Sequence, residues 1–272
     1  MAEWRGKTAL VTGASYGIGT AFARRLAAEG AHLILTARST DKLEALAVEL
    51  RRQYQISVFV ITADLADARA PRHIFDETQR QGLTVDLLVN NAGFGAAGDF
   101  AFLPLDRQLE MIQVNVTALV ALAHLFIQPM LAHRAGAVIN VASTASFQGV
   151  PYLAAYAATK SFILNFSEGL WGEFQPYGVR VLALCPGSTE SNFHAVAGSE
   201  RRARPHPKQP AAAVVEAALA ALAAGRSHVV SGANNKLMIW LERFLPRQIV
   251  LGAASKLFKE FARQPHDNKD FE

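Results

Sequence analysis

Two rhythms of apolar residues alternate along this chain. Short continuous runs at 8–11, 32–37, 56–62, 85–89, 137–141, 179–184 and 229–230 predict strands. Between them, apolar residues recur at helical spacing over 17–29, 42–54, 67–81, 106–133, 152–175 and 211–224. Leu43, Leu46 and Leu50 show the stripe clearly; Thr40 or Asp41 supplies its cap, and Gly30 stops the helix before it. Strands alternating with helices imply right-handed crossovers and a parallel sheet. The strand runs are apolar throughout rather than at every second position, as required where helices cover both faces of a sheet. The expected class is therefore α/β, a doubly wound parallel sheet of about seven strands.

Beyond residue 232 the pattern changes. Leu237, Trp240, Leu241, Phe244 and Leu245 form one helical stripe, Pro246 interrupts it, and Val250, Ala254, Leu257, Phe258 and Phe261 form a second. Packing over a pocket or against a partner subunit is the simpler expectation for 233–263, as an extension of one domain covering 1–232; contact with a membrane surface is the alternative. Residues 188–210, with Arg201, Arg202, Arg204, Lys208 and a Gly198-Ser199 hinge, are expected to form a lid loop, and 264–272 a polar tail.

Composition narrows the class. The chain has 272 residues, 51% of them hydrophobic, and a single cysteine, Cys185, which excludes a disordered chain or a disulfide scaffold. One cysteine and a charged N-terminus without an apolar run suggest a cytoplasmic setting, and no uninterrupted apolar run long enough to span a membrane occurs. The net charge of +4 is unevenly spread: residues 201–272 hold twelve Lys and Arg against six Asp and Glu. The basic residues lack a nucleic-acid-binding motif or interleaved aromatics, so no nucleic acid is expected. No metal is expected either.

The first strand runs into Thr12-Gly13-Ala14-Ser15-Tyr16-Gly17-Ile18-Gly19 and then a helix. Glycines there let the backbone approach a phosphate, which the helix N-terminus attracts; a purely structural turn is the competing reading. Further along stand Asn90-Asn91-Ala92-Gly93, Asn115, Ser143, Tyr156-Ala157-Ala158-Thr159-Lys160 and Pro186-Gly187. Tyr156 and Lys160, at i and i+4, share a helix face. An ammonium beside a phenol favours the phenolate and brings it toward acid/base service, though such a pair is also an ordinary surface contact.

In their order and spacing these motifs resemble the short-chain dehydrogenase/reductase superfamily, over about residues 5 to 232. The resemblance implies a Rossmann-type NADP-binding catalytic domain. It implies Tyr156 as general acid/base, Ser143 orienting the carbonyl oxygen, Lys160 holding the nicotinamide ribose and lowering the Tyr156 pKa, and Asn115 carrying a water relay, with a structural hydrogen bond as the other reading of that amide. Cofactor contacts are expected from Gly13, Ser15, Tyr16, Gly17, Ile18 and Gly19. Asp64 and Leu65 would meet the adenine, and Asn91, Ala92 and Gly93 the adenosine ribose. Tyr156, Lys160, Pro186, Gly187, Thr189 and Ser191 would lie at the nicotinamide end.

The second strand ends at Ala37-Arg38, where an NAD enzyme carries a carboxylate. A guanidinium binds phosphate, so NADP(H) is expected, with Lys42 assisting; a solvent-facing Arg38 is the bland alternative. The substrate pocket is expected from Phe94, Ala145, Phe147, Val150, Tyr152, Leu153 and Phe193, which favours a small hydrophobic carbonyl or alcohol. The helix over 109–131 is apolar nearly all round and, with Phe162, Phe166, Leu170 and Phe174, suggests a homodimer or homotetramer. Three functions stay open: a carbonyl reductase or alcohol dehydrogenase first, then a 3-oxoacyl-acyl-carrier-protein reductase, and a non-catalytic NADP-sensing protein.

Overall fold

A computed structural model describes residues 3–190 and 208–261. The strands are β1 (Thr8–Thr12), β2 (His32–Ala37), β3 (Val58–Thr62), β4 (Leu87–Asn90), β5 (Gly136–Val141), β6 (Val179–Cys185) and β7 (His228–Val230). All pair in parallel, in the order β3-β2-β1-β4-β5-β6-β7. The helices are α1 (Gly17–Glu29), α2 (Thr40–Tyr54), α3 (Ala70–Arg80), α4 (Leu105–Ile112), α5 (Ala118–His133), α6 (Ala154–Phe174), α7 (Ala211–Ala223), α8 (Ala233–Glu242) and α9 (Arg247–Phe258).

Alternate residues of each strand feed opposite cores. Val11, Leu35, Val89 and Leu184 pack with Phe22 and Leu26 of α1, Leu43 and Leu50 of α2 and Val214 of α7. Leu10, Ile34, Leu88 and Val181 face the other way, onto Ile74 of α3, Met111 of α4 and Phe126 of α5. Every one of these side chains is buried, which accounts for the absence of a polar face in the strand runs. The strand order reverses between β1 and β4, and the crevice at such a reversal is where parallel sheets bind ligands.

The single helix expected over 106–133 is broken. α4 ends at Ile112, a π-helical turn spans Gln113–Thr117, and α5 resumes at Ala118. The wider turn holds Asn115, whose side chain bonds both backbone groups of Phe94. Such turns are frequent at functional sites. The whole stretch Leu105–His133 is long and apolar enough to cross a membrane, contrary to the sequence expectation, yet half of its most apolar window is buried inside the fold.

Of the two C-terminal stripes, the second is the more buried. Val250, Ala254 and Phe261 are buried. In α8 the buried residue is Ile239, against Cys185 and Val230, while Leu237, Trp240 and Leu241, and Phe244 and Leu245 just beyond it, are exposed. A helix this short, α8 having ten residues, turns one flank to the sheet and leaves the rest outside.

Candidate active site

The turn after β1 is built for close backbone approach. Gly13 and Gly17 have φ of 63° and 54°, a region costly for any residue with a Cβ. A Cβ on Gly19 would collide with the Gly13 carbonyl oxygen and lie 2.6 Å from Asn91 Nδ2. Asn91 cannot step aside easily, since its amide donates to Thr12 O at 2.9 Å and Gly13 O at 3.2 Å. The Thr12 hydroxyl in turn accepts from the backbone N–H groups of Asn91 and Ala92, both at 2.9 Å. The turn after β1 and the loop after β4 are thus one unit. The N-terminus of α1 has no side-chain cap and no acidic residue in its first turn. Its free N–H groups and dipole suit an anion.

A cavity of about 620 Å³ opens over this unit. Its adenosine end is bordered by Tyr16, Arg38, Ser39, Asp64 and Leu65. Arg38 is exposed, with Nη1 4.0 Å from Asp64 Oδ2 and 3.8 Å from Glu110 Oε1. Long exposed pairs of this kind hold an arginine weakly, leaving it available to a phosphate. Lys42 Nζ lies 3.9 Å from the centre of the Tyr16 ring, so a second cation stands at this rim. Asp64 also accepts from Ala66 N at 3.0 Å, capping its own turn while standing at the cavity wall. The glycine cradle, the uncapped helix and these two cations fit a dinucleotide bearing a further phosphate.

Ser143, Tyr156 and Lys160 converge at the other end, with Asn91, Ala92, Gly93, Pro186, Gly187 and Thr189 around them. Ser143 stands two residues past the end of β5 and caps a 3-10 turn, accepting from Ala145 N at 3.1 Å. Ser146 Oγ donates to Lys160 O at 2.8 Å, and Ser161 Oγ to Ser146 O at 2.7 Å, lashing that turn to α6. Lys160 Nζ donates to Val141 O at 2.8 Å and lies 5.8 Å from the Tyr156 ring centre.

Burial dominates the electrostatics of the protein alone. Burial pushes the Tyr156 phenol up to about 12, only partly offset by a hydrogen bond with Ser143. Burial pulls the Lys160 ammonium down to about 8. In the protein alone desolvation outweighs any pull of the lysine on the phenol. Tyr156 is therefore held as a protonated acid at neutral pH. Cys185 is buried as well, and burial pushes its thiol up to about 12, consistent with a packing role.

The side chain of Asn115 makes the structural hydrogen bonds that were the other reading of this amide. Oδ1 accepts from Phe94 N at 3.0 Å, and Nδ2 donates to Phe94 O at 2.9 Å and Thr159 Oγ1 at 3.1 Å. The amide is consumed by structural bonds. It fixes the Gly93-Phe94 backbone, where a Cβ on Gly93 would stand 2.9 Å from Asn115 Oδ1 and 3.4 Å from Lys160 Nζ.

Among the expected substrate residues, Phe94, Ala145, Val150 and Leu153 line the cavity. Phe147 does not. It packs instead against the buried cluster around Cys185, Val230 and Ile239 and meets His228 edge-on, with ring centres 6.2 Å apart. Tyr152 does not either: its φ is 66°, and its carbonyl accepts from Gly98 N at 2.9 Å. The left-handed backbone there redirects the side chain. Phe193 and Ser191 lie outside the described residues, as do most of the lid, its Gly198-Ser199 hinge and the 264–272 tail. The two ends of the lid are joined: Gln209 N donates to Ser188 O at 2.8 Å, and Glu190 N to Gln209 O at 3.0 Å.

Leu257, Phe258 and Phe261, from α9 and the turn after it, line the cavity as well, so part of the second C-terminal stripe packs over a pocket. A buried chain of amides went unnoticed in the sequence. Asn90 Nδ2 donates to Asn140 Oδ1 at 3.0 Å, Asn140 Nδ2 to Ser167 Oγ at 2.9 Å, and Ser167 Oγ to Ile163 O at 2.6 Å. Asparagine inside two otherwise apolar strands was the available signal.

The profile of the short chain dehydrogenase family matches residues 7–202. Putative ketoacyl reductase 1 of the granaticin polyketide synthase from Streptomyces violaceoruber is 39% identical over 186 residues, 67% of this chain and 68% of that one. A very-long-chain 3-oxoacyl-CoA reductase from Anas platyrhynchos is 34% identical over 187 residues, 66% of this chain and 59% of its own length. In three dimensions the chain is similar to a short-chain dehydrogenase from Sphingobium yanoikuyae in complex with NADPH, with a TM-score of 0.79 at 28% identity, covering 98% of this chain and 100% of that one. A profile match over most of the chain and a relative this similar make the present chain a member of the short-chain dehydrogenase family.

Proposed function

We propose that this protein transfers hydride between NADP(H) and a carbonyl or secondary alcohol of a hydrophobic substrate, with Tyr156 as the general acid/base. The observation that carries the reading is the meeting of Ser143, Tyr156 and Lys160 in the same cavity as the glycine cradle and Arg38. Bound NADPH supplies the hydride. Ser143 holds the carbonyl oxygen, and Tyr156, kept protonated by burial, gives that oxygen its phenolic proton. Lys160 presents its ammonium to the cofactor's ribose, and Asn115 keeps the Gly93-Phe94 wall in place through its three bonds. Phe94, Val150, Leu153, Phe258 and Phe261 give the substrate end an apolar lining.

A 3-oxoacyl thioester is the more specific substrate reading. It is favoured by the names of two relatives, a ketoacyl reductase and a 3-oxoacyl-CoA reductase. Assaying NADPH consumption with ketones, aldehydes and oxoacyl thioesters separates these substrates. No consumption with any of them, despite bound NADPH, would favour a sensing protein.

Arg38→Ala is expected to raise KM for NADPH about tenfold or more, the scale of a lost hydrogen bond to a charged group, and to leave KM for NADH almost unchanged. Equal effects on both cofactors would remove Arg38 from the phosphate site. The pH profile follows from Lys160. Its charge is present below about pH 8 and lost above it, while Tyr156 stays protonated throughout that range. Carbonyl-reducing kcat/KM at subsaturating NADPH should thus be level near neutrality and fall as pH rises past about 8. A rate that climbs through the same interval would contradict the assignment.

Self-association into a homodimer or homotetramer belongs to the same reading. Leu105, Leu109 and Ile112 of α4 and Phe162 of α6 leave apolar side chains exposed. A monomeric mass by light scattering at micromolar concentration would exclude it.

A further inference from the structure

The C-terminal helices present an unusual surface. Leu237, Trp240, Leu241, Phe244, Leu245 and Ile249 are all exposed, Trp240 at 55% and Phe244 at 69%. Trp240 and Phe244 pack edge to face, with ring centres 4.9 Å apart, so the two largest form one apolar ridge. Apolar residues scattered singly on a surface need no explanation, but a contiguous group of this size does.

Residues 233–261 carry five cations, Lys236, Arg243, Arg247, Lys256 and Lys259, against two carboxylates in the sequence. The surface is therefore both greasy and positive. Neither helix is long enough to span a bilayer: α8 has ten residues and α9 twelve, where about twenty are needed. Such helices can only lie along an interface, where tryptophan is favoured. A second copy of this chain is the less suitable occupant, because a twofold contact would bring like charge against like.

The same unit reaches the cavity. Leu257 is 56% exposed and also lines the cavity, with Phe258 and Phe261 beside it. Leu257 thus belongs both to the outer apolar surface and to the cavity wall.

We propose that α8 and α9 dock this protein on an anionic lipid surface with the cavity mouth turned toward the lipid. A hydrophobic substrate would then enter along Leu257 without crossing bulk water. The docking itself does not depend on the catalytic reading.

The test is co-sedimentation of the full chain with vesicles of phosphatidylcholine alone, and with vesicles one third phosphatidylglycerol. Wild type should partition at least about tenfold more strongly onto the anionic vesicles, and high salt should weaken this. Trp240→Glu with Phe244→Glu should abolish the binding, and Lys236→Glu with Arg243→Glu should remove its preference for anionic lipid. NADPH-induced thermal stabilisation, measured on each variant, verifies that the fold persists. Failure of wild type to bind anionic vesicles, or equal binding by both double variants, would overturn the proposal. So would a lipid-independent dimer abolished by the Trp240/Phe244 pair, with no vesicle binding, since the surface would then belong to a second copy.

Discussion

Replacing Tyr156 by Phe is expected to lower kcat for carbonyl reduction by about 10²–10⁴, the usual weight of a positioned general acid. NADPH affinity should change by no more than a few fold. The ring and its packing remain; only the hydroxyl that bonds Ser143 is removed. The phenol is desolvated rather than activated in the protein alone, so its service lies in donating a proton to an oxygen that becomes negative as hydride arrives. A single-turnover measurement with saturating NADPH isolates that step. Near-wild-type turnover would show that the proton comes from another group.

Gly19→Ala is expected to be the most damaging small change in the cofactor site. The added methyl meets the Gly13 carbonyl and Asn91 Nδ2, and both are fixed: Gly13 by its left-handed backbone, Asn91 by Thr12 and Gly13. Overpacking of this kind costs about 1–3 kcal/mol when neighbours can shift, and backbone neighbours shift least. The opening of the turn also displaces the N–H groups at the start of α1. For wild type, NADPH at about a hundred times its Kd adds about 2.7 kcal/mol of stability. The variant should lose nearly all of that gain. Thermal unfolding with and without NADPH reads both effects, and an undiminished NADPH shift in Gly19→Ala would refute the cradle.

Much of this was legible in the residues. Apolar runs marked all seven strands because a parallel sheet covered on both faces needs no polar face. The glycine turn, Ser143 and the Tyr156/Lys160 pair were legible because chemistry there depends on residue type at short spacing. What escaped depended on geometry between distant segments or on backbone direction. The π-turn around Asn115 was invisible because a stretch apolar on nearly every side, from Val114 to Phe126, gives no phase in which a single extra residue would show. Phe147 and Tyr152 were misplaced because the 144–152 region bends, and Tyr152 takes a left-handed backbone. The second C-terminal stripe was legible as an apolar face, but which of the two offered partners it meets, pocket or subunit, depends on contacts with segments about a hundred residues away, and Leu257, Phe258 and Phe261 reach the cavity. The electrostatics of the protein alone were only half legible for a related reason. Charge proximity can be read from i, i+4 spacing, but burial, which dominates both Tyr156 and Lys160, is a property of the folded chain.

The central claim is hydride transfer coupled to proton donation by Tyr156. Its most direct measurement uses NADPH carrying deuterium at the transferable C4 position, incubated with the purified protein and a hydrophobic ketone or 3-oxoacyl thioester. Mass spectrometry of the product alcohol then locates the label. One deuterium on the carbinol carbon per NADPH oxidised, absent with Tyr156→Phe, is the result this account requires. NADPH that binds but yields no labelled alcohol from any such carbonyl, or labelled alcohol formed equally well by Tyr156→Phe, would contradict it.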